Sequence, residues 1–355
     1  MTHKERIRAA LERKKTDKVP KTMQCVETAW ENIQNYLQAE SREEVLRYFE
    51  IDTRIMDLPP YIGPAVPPYK NEQGEMVYTN SMGSQFIKKW NGVEYNNQYI
   101  NHPYDVIKTV EDFEKFEGWF NPEHYDYDAV TKFVKEHEDK AIRIGWPGPY
   151  QVFTLLYDTE TFYINMYEEP ELIKMMLDRY CRASYEIYER MFEAANGKVD
   201  ILCCCDDYGT QISTLFNPAL WKEFFAENTK MFAEQAHRHG AYYMQHSCGA
   251  IRSIIPFLIE CGVDALDPIQ KVTGMEVDGL KRDFGQKLCF QGGIDTQYIL
   301  PRGMAQEVYD ETTRVIRALY KNGGYILCGS QSFEGDVPPE NICALYDAAR
   351  QFDER

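Results

Sequence analysis

The chain has 355 residues with 56 acidic against 39 basic side chains, a formal net charge of −17 that disfavours nucleic acid and anionic membrane surfaces as partners. It also argues against a polyanionic small substrate unless a local basic pocket overrides the overall field. A hydrophobic fraction of 44% can supply a substantial core, yet no run of about eighteen apolar residues occurs, so no membrane span is expected.

The charged opening Met1-Thr2-His3-Lys4-Glu5-Arg6 lacks the apolar core of a signal peptide. The ten cysteines, several in apolar runs such as Cys203-Cys204-Cys205, read as the reduced thiols of a cytoplasmic protein. With no low-complexity linker, long charge block or close repeat, one domain over 1–355 is expected. A helix over 42–49 leads into a strand over 51–56. The segment 59–99, rich in Pro, Gly, Tyr and Asn, reads as turns and short strands, a hairpin covering an active-site mouth. Its Tyr61, Tyr69, Tyr78, Tyr95 and Tyr99 suit either a pocket for an aromatic group or the packing of the loops themselves.

From about residue 140, short apolar runs alternate with long amphipathic segments, the mark of βα units and a parallel sheet. Strands are predicted over 141–145, 199–205, 241–245, 263–266, 287–291 and 324–328. Asn217-Pro218 supplies an N-cap and a first-turn proline for a helix that Gly240 stops, and Cys261-Gly262 and Asn322-Gly323-Gly324 end two more. Strands that each feed a helix, without a Gly-rich dinucleotide fingerprint after the first, point to an α/β protein of the (β/α)8 TIM-barrel class rather than an open doubly wound sheet.

In such a barrel, chemistry gathers where strands end. Those positions hold Trp146, Asp206, Asp207, Tyr208, His246, Cys248, Asp267, Gln270, Gln291, Asp295, Cys328, Ser330 and Gln331. A His and a Cys two residues apart can both reach one soft cation, which makes His246 and Cys248 half of a candidate zinc site. Both also suit a core, as a hydrogen-bonded imidazole and a small hydrophobe. Asp207 or Asp295 equally suits a helix N-cap, and Asp267 before Pro268 a turn.

With those residues in hand, the chain resembles the uroporphyrinogen decarboxylase superfamily and, within it, the cobamide-dependent methyltransferases. The likeness is carried by Asp206-Asp207-Tyr208-Gly209-Thr210-Gln211, His246-Ser247-Cys248-Gly249, Gly262-Val263-Asp264 through Asp267-Pro268-Ile269-Gln270, Phe290-Gln291-Gly292-Gly293-Ile294-Asp295 and Pro338-Pro339-Glu340-Asn341-Ile342. The arginine-rich stretch of true uroporphyrinogen decarboxylases is replaced here by Lys21-Thr22-Met23-Gln24-Cys25-Val26-Glu27. A substrate with many carboxylates needs fixed cations, so the decarboxylase reading is the poorer one.

The resemblance implies a zinc ion held by His246, Cys248 and a distant third ligand. That ligand is Cys328 or, counting back from Pro338, Gln331, with an Asp or Glu334 as the remaining options. It further implies a corrinoid supplied by a partner protein, since the chain contains no Asp-x-His-x-x-Gly signature of its own. The small molecule is a methyl donor or an acceptor thiol. Asp206 and Asp207 are candidate acid/base groups or supports of the histidine, and Trp146, Tyr208, Gln270, Gln291 and Asp295 are candidate substrate contacts. Two alternatives stand beside this reading, a decarboxylase-like lyase and a metal-free ligand-binding barrel. A homodimer is left open, with nothing to locate its interface.

Overall fold

In the computed structural model, which describes residues 1–145 and 147–353, the strands in chain order are β1 (Thr53–Met56), four short ones β2–β5 (Tyr69–Lys70, Met76–Thr79, Gln85–Trp90, Tyr95–Tyr99), then β6 (Ala141–Ile144), β7 (Val199–Cys205), β8 (Tyr242–His246), β9 (Ala265–Ile269), β10 (Cys289–Gly292) and β11 (Tyr325–Ile326). A seven-stranded sheet runs in the order β1-β6-β7-β8-β9-β10-β11, with every neighbouring pair parallel. Parallel neighbours need crossovers, and helices Pro218–Arg238, Ile255–Glu260, Val277–Phe284 and Ala305–Leu319 supply those after β7. Residues buried on both faces explain why β7 reads as an apolar run over 201–205 rather than an alternating one, with Asp200 near its start paired to Arg8.

The sheet curls so that one stretch bonds both of its edges. On one side Thr22 N donates to Leu327 O at 3.1 Å and Leu327 N to Pro20 O at 2.8 Å. On the other, Asp52 N donates to Lys21 O at 2.9 Å, and the Thr22 and Thr53 hydroxyls lie 2.6 Å apart.

Two cores result. The larger lies between the sheet and its helices, while the smaller fills the inside of the curl with Ala141, Ile201, Cys203, Met244, Ala265, Cys289 and Ile326. The N-terminal helix (His3–Leu11) closes that inner core with Ile7, Ala10 and Leu11. Each such fully buried Ile or Leu contributes about 1.5–3 kcal/mol by leaving water. Arg6 Nη1 on Asp52 at 2.5 Å and Arg8 Nη1 on Asp200 at 3.0 Å hold the helix against the sheet. Asn217 caps the helix Pro218–Arg238 through Ala219 N at 2.7 Å, and Gly240 follows it with φ +70°.

The strand predicted over 263–266 starts later and runs on through Asp267 and Pro268 to Ile269. Its register against β10 pairs Leu266 with Phe290 and then Ile269 with Gly292, which leaves one extra residue on β9. That bulge accommodates a residue without an N–H and re-aims its neighbours. The segment expected to form one hairpin forms a four-stranded antiparallel sheet, β2 to β5. Across it Tyr78 stacks on Phe86, whose ring packs at a tilt against Tyr99. Near its base, Ser84 Oγ and His102 Nδ1 reach Leu155 O, while Val93 in the β4–β5 turn lies against Gly335. Among the described residues, no helix is long and apolar enough to cross a membrane.

Candidate metal-binding active site

Side chains on a strand alternate faces, so a residue two positions beyond an inner-core residue also points inside the curl. The pairs Ala141/Arg143, Cys203/Cys205, Met244/His246, Ala265/Asp267 and Cys289/Gln291 therefore stack a polar layer above the apolar one. Register fixes the neighbours within that layer, with Cys205 opposite His246 and His246 opposite Asp267.

His246 Nδ1 lies 2.8 Å from Asp267 Oδ2, whose other oxygen accepts from Gln291 Nε2 at 2.7 Å. The imidazole thus presents Nε2 to the other side, 3.6 Å from Cys248 Sγ and 3.6 Å from Asp207 Oδ1. Burial works against an imidazolium, but the Asp267 carboxylate outweighs it and raises His246 well above its usual range. Burial likewise pushes the Cys248 thiol up, opposed by His246.

Asp207 and Cys248 meet because two loops touch backbone to backbone. Cys248 N donates to Asp207 Oδ1 at 2.9 Å, Ala250 N to Thr210 O at 2.7 Å and Tyr208 N to Ser247 Oγ at 3.0 Å. A side chain on Gly209 would stand 2.7 Å from Cys248 O, and Gly249 adopts φ +88° against the backbone of Gly209. Gly249 N donates to Gln270 Oε1 at 2.7 Å, which ties the loop to the end of β9.

Among the described residues, Asp207, His246 and Cys248 form a group whose ligand atoms all lie within 4.8 Å of one another. One thiol, one imidazole nitrogen and one carboxylate oxygen suit zinc, and Asp267 on the far ring nitrogen is the support that zinc-binding histidines use. The donor set therefore fits the ion.

The structure does not bring Cys328 into this group. Its thiol is 8% exposed and lies 3.1 Å from Gly329 O, where burial and then Asp267 push it well above the usual thiol range. Gln331 takes the neighbouring place, donating from Nε2 to Cys248 Sγ at 3.1 Å. Further residues sit differently from expectation. Tyr208 is fully buried among Tyr150, Phe216, Trp221 and Phe225, and its hydroxyl donates to Asp206 at 2.7 Å, so it packs the wall instead of lining the cleft.

Asp206 accepts at 2.8 Å from Gln151 N, in the first turn of the helix Pro149–Leu156. The N-cap of that helix is Gly148, so Asp206 satisfies one of its N-terminal donors from outside the helix. Burial raises its carboxyl to about 7, against the hydrogen bonds from Gln151 and Tyr208. Asp295 is buried and accepts from Gln297 N at 2.9 Å, closing its own turn, while Gln291 is spent on Asp267. Gln270 borders a cavity of about 650 Å³ with Gln211 and Lys271. Trp146 lies outside the described residues.

Sequence reading placed Asp267 at a strand end and offered it a turn before Pro268 but no part in the metal site, although the position two residues beyond inner-core Ala265 marks it as inward-facing. It also passed over Arg143, the charged residue in the otherwise apolar strand Ala141–Ile144.

Residues 82–352 match the family model for uroporphyrinogen decarboxylase (URO-D). Over 225 residues, 63% of this chain and 62% of theirs, the chain is 21% identical to two methylcobamide:CoM methyltransferases MtaA of Methanosarcina barkeri, one of them from strain Fusaro / DSM 804. The match thus spans under two thirds of those relatives. A solved methyltransferase from Methanosarcina mazei shares the fold with a TM-score of 0.73 at 17% identity, covering 99% of both chains. With its family model spanning most of the sequence, the chain belongs to the uroporphyrinogen decarboxylase family, and the curated relatives it resembles there are methylcobamide:CoM methyltransferases.

Proposed function

We propose that this protein is a zinc-dependent methyltransferase that moves a methyl group between a corrinoid carried by a partner protein and a small substrate. The observation that carries the reading is the convergence of Asp207, His246 and Cys248, with Asp267 orienting the histidine. Zinc bound there would supply either a lowered pKa for a coordinated thiol or a Lewis acid for the oxygen of a methyl ether. The chain's own groups do the positioning. Asp267, braced by Gln291, keeps Nε2 of His246 turned to the site, and the Asp207–Cys248 N bond fixes the loop that bears the thiol. Asp206, whose carboxyl burial raises to about 7, can hold or release a proton while it accepts from Gln151 N in the first turn of the helix Pro149–Leu156.

The fold in this reading is a single (β/α)8 barrel domain, with the 20–22 stretch standing where an eighth strand would close the sheet. The corrinoid protein approaches the strand carboxyl ends, the face that holds the candidate site. A cytoplasmic location and a homodimer remain part of the proposal, the first on the wealth of thiols.

Elemental mass spectrometry of protein purified without a metal-affinity tag tests the reading. About one zinc per chain, lost together with methyl transfer in His246→Ala and Cys248→Ala, is the expected outcome. No metal after anaerobic reconstitution, or undiminished turnover of free methylcobalamin by either variant, would overturn it.

A further inference from the structure

The four-stranded sheet β2 to β5 has two edges, and they are built differently. At one edge β2 is only two residues long, follows Pro67-Pro68 and ends in Lys70, all of which keep another strand from pairing with it. At the other edge β5 is Tyr95-Asn96-Asn97-Gln98-Tyr99, without a charge, a proline or a glycine. Among the described residues, no strand lies beyond it.

Register shows what this edge presents. Ile100 N donates to Gln85 O at 2.9 Å and Asn91 N to Glu94 O at 3.0 Å, and between them the ladder runs from Phe86 opposite Tyr99 to Trp90 opposite Tyr95. Hydrogen-bonded pairs recur at every second residue of an antiparallel ladder, so Asn96 and Gln98 bond to β4. Tyr95, Asn97 and Tyr99 therefore turn their N–H and C=O groups away from the sheet. Their side chains share one face with Phe86, Lys88 and Trp90, a face on which Tyr95 is 67% and Trp90 56% exposed. Open backbone groups beside exposed rings mark an interaction surface.

We propose that β5 pairs antiparallel with β5 of a second copy of this chain, about a twofold axis at Asn97. The strand matches itself in that register. Tyr95 of each copy lies opposite Tyr99 of the other, Asn97 lies opposite its own equivalent, and the three pairs form about six backbone hydrogen bonds. The ring face of one sheet then runs on into the other, where cross-strand aromatic pairs are favourable. Charge points the same way. Two copies of a chain with net charge −17 repel, so they can meet only where acids are missing. β4 and β5 hold no acid, and the residue on the axis is neutral. The homodimer of the methyltransferase reading thereby gains an interface, and because β5 contributes nothing to the Asp207–His246–Cys248 group, the two can fail separately.

Sedimentation equilibrium of the full chain tests the pairing. The wild type should dimerise, and Asn97→Lys, which sets two like charges against each other on the axis, should weaken the dimer about tenfold or more. Asn97→Pro removes an N–H that β4 does not use, so it should dissociate the dimer equally while circular dichroism and zinc content stay at wild-type values. In hydrogen exchange, the amides of Tyr95, Asn97 and Tyr99 should slow as the wild-type concentration rises, whereas those of Asn96 and Gln98 are protected throughout. A wild type that stays monomeric up to its solubility limit overturns the proposal. So does a dimer whose affinity is unchanged in both variants, or one in which the amides of 95, 97 and 99 exchange as fast as in the monomer.

Discussion

Asp267 carries more of the site than its place before a proline suggests. It orients His246 through Nδ1 and is itself braced by Gln291, so its removal should cost metal affinity without removing a ligand. Asp267→Asn is expected to weaken zinc binding about 10–100-fold, the usual effect of losing a histidine's outer partner, as read by competition with a chelating dye. Cys328→Ser tests the other side of the same geometry. Because that thiol faces Gly329 O and stands outside the Asp207–His246–Cys248 group, the variant should keep the wild-type zinc stoichiometry and affinity; a loss of more than tenfold would restore Cys328 as a ligand. The His-x-Cys spacing made two members of the group legible in the chain. Asp207 and Gln331 were not assignable in the same way, because their positions depend on loops whose course no local pattern dictates.

At the scale of elements, the site exists because the turn after β7 and the turn after β8 press together at Gly209 and Gly249. Gly249→Ala puts a side chain at φ +88° directly against the Gly209 backbone, which must separate the two turns and break the Cys248 N–Asp207 bond. A loss of about 1–3 kcal/mol in urea unfolding is expected, together with weaker zinc binding. Gly240→Ala is the control, since it has a comparable φ of +70° but nothing within 4 Å, and it should leave zinc binding unchanged. Helix and strand positions were readable from apolar runs and from punctuation such as Asn217-Pro218 and Gly240. The bulge in β9 was not, because the register between β9 and β10 is a property of the pair and not of either strand.

Across the whole molecule, the acidic charge that shapes partner choice also shapes stability. Burial works to raise the Glu43 carboxyl, but Arg54, 2.7 Å away across the helix–strand junction, and then Arg47 outweigh it and hold it at about 2 instead of 4.5. A carboxyl held lower in the folded state stabilises the fold fully above its unfolded pKa, and that contribution fades as the pH falls through the folded value. Glu43→Gln should therefore cost on the order of 1–2 kcal/mol at pH 7, with the gap to the wild type closing as thermal unfolding is followed from pH 5 toward pH 2. A gap independent of pH would mean that the carboxylate's charge contributes nothing. By itself, the sequence determined the parallel α/β character, most strand positions and the His246–Cys248 pairing, because periodicity, caps and short spacings act over a few neighbouring residues. Only the tertiary structure decided that Asp207 joins them, that Asp267 orients the histidine, that Cys328 stands aside and that Arg143 lies inside the curl. Those relations join strands and loops distant in the chain, and they exist only once register and curl have set which side chains share one layer.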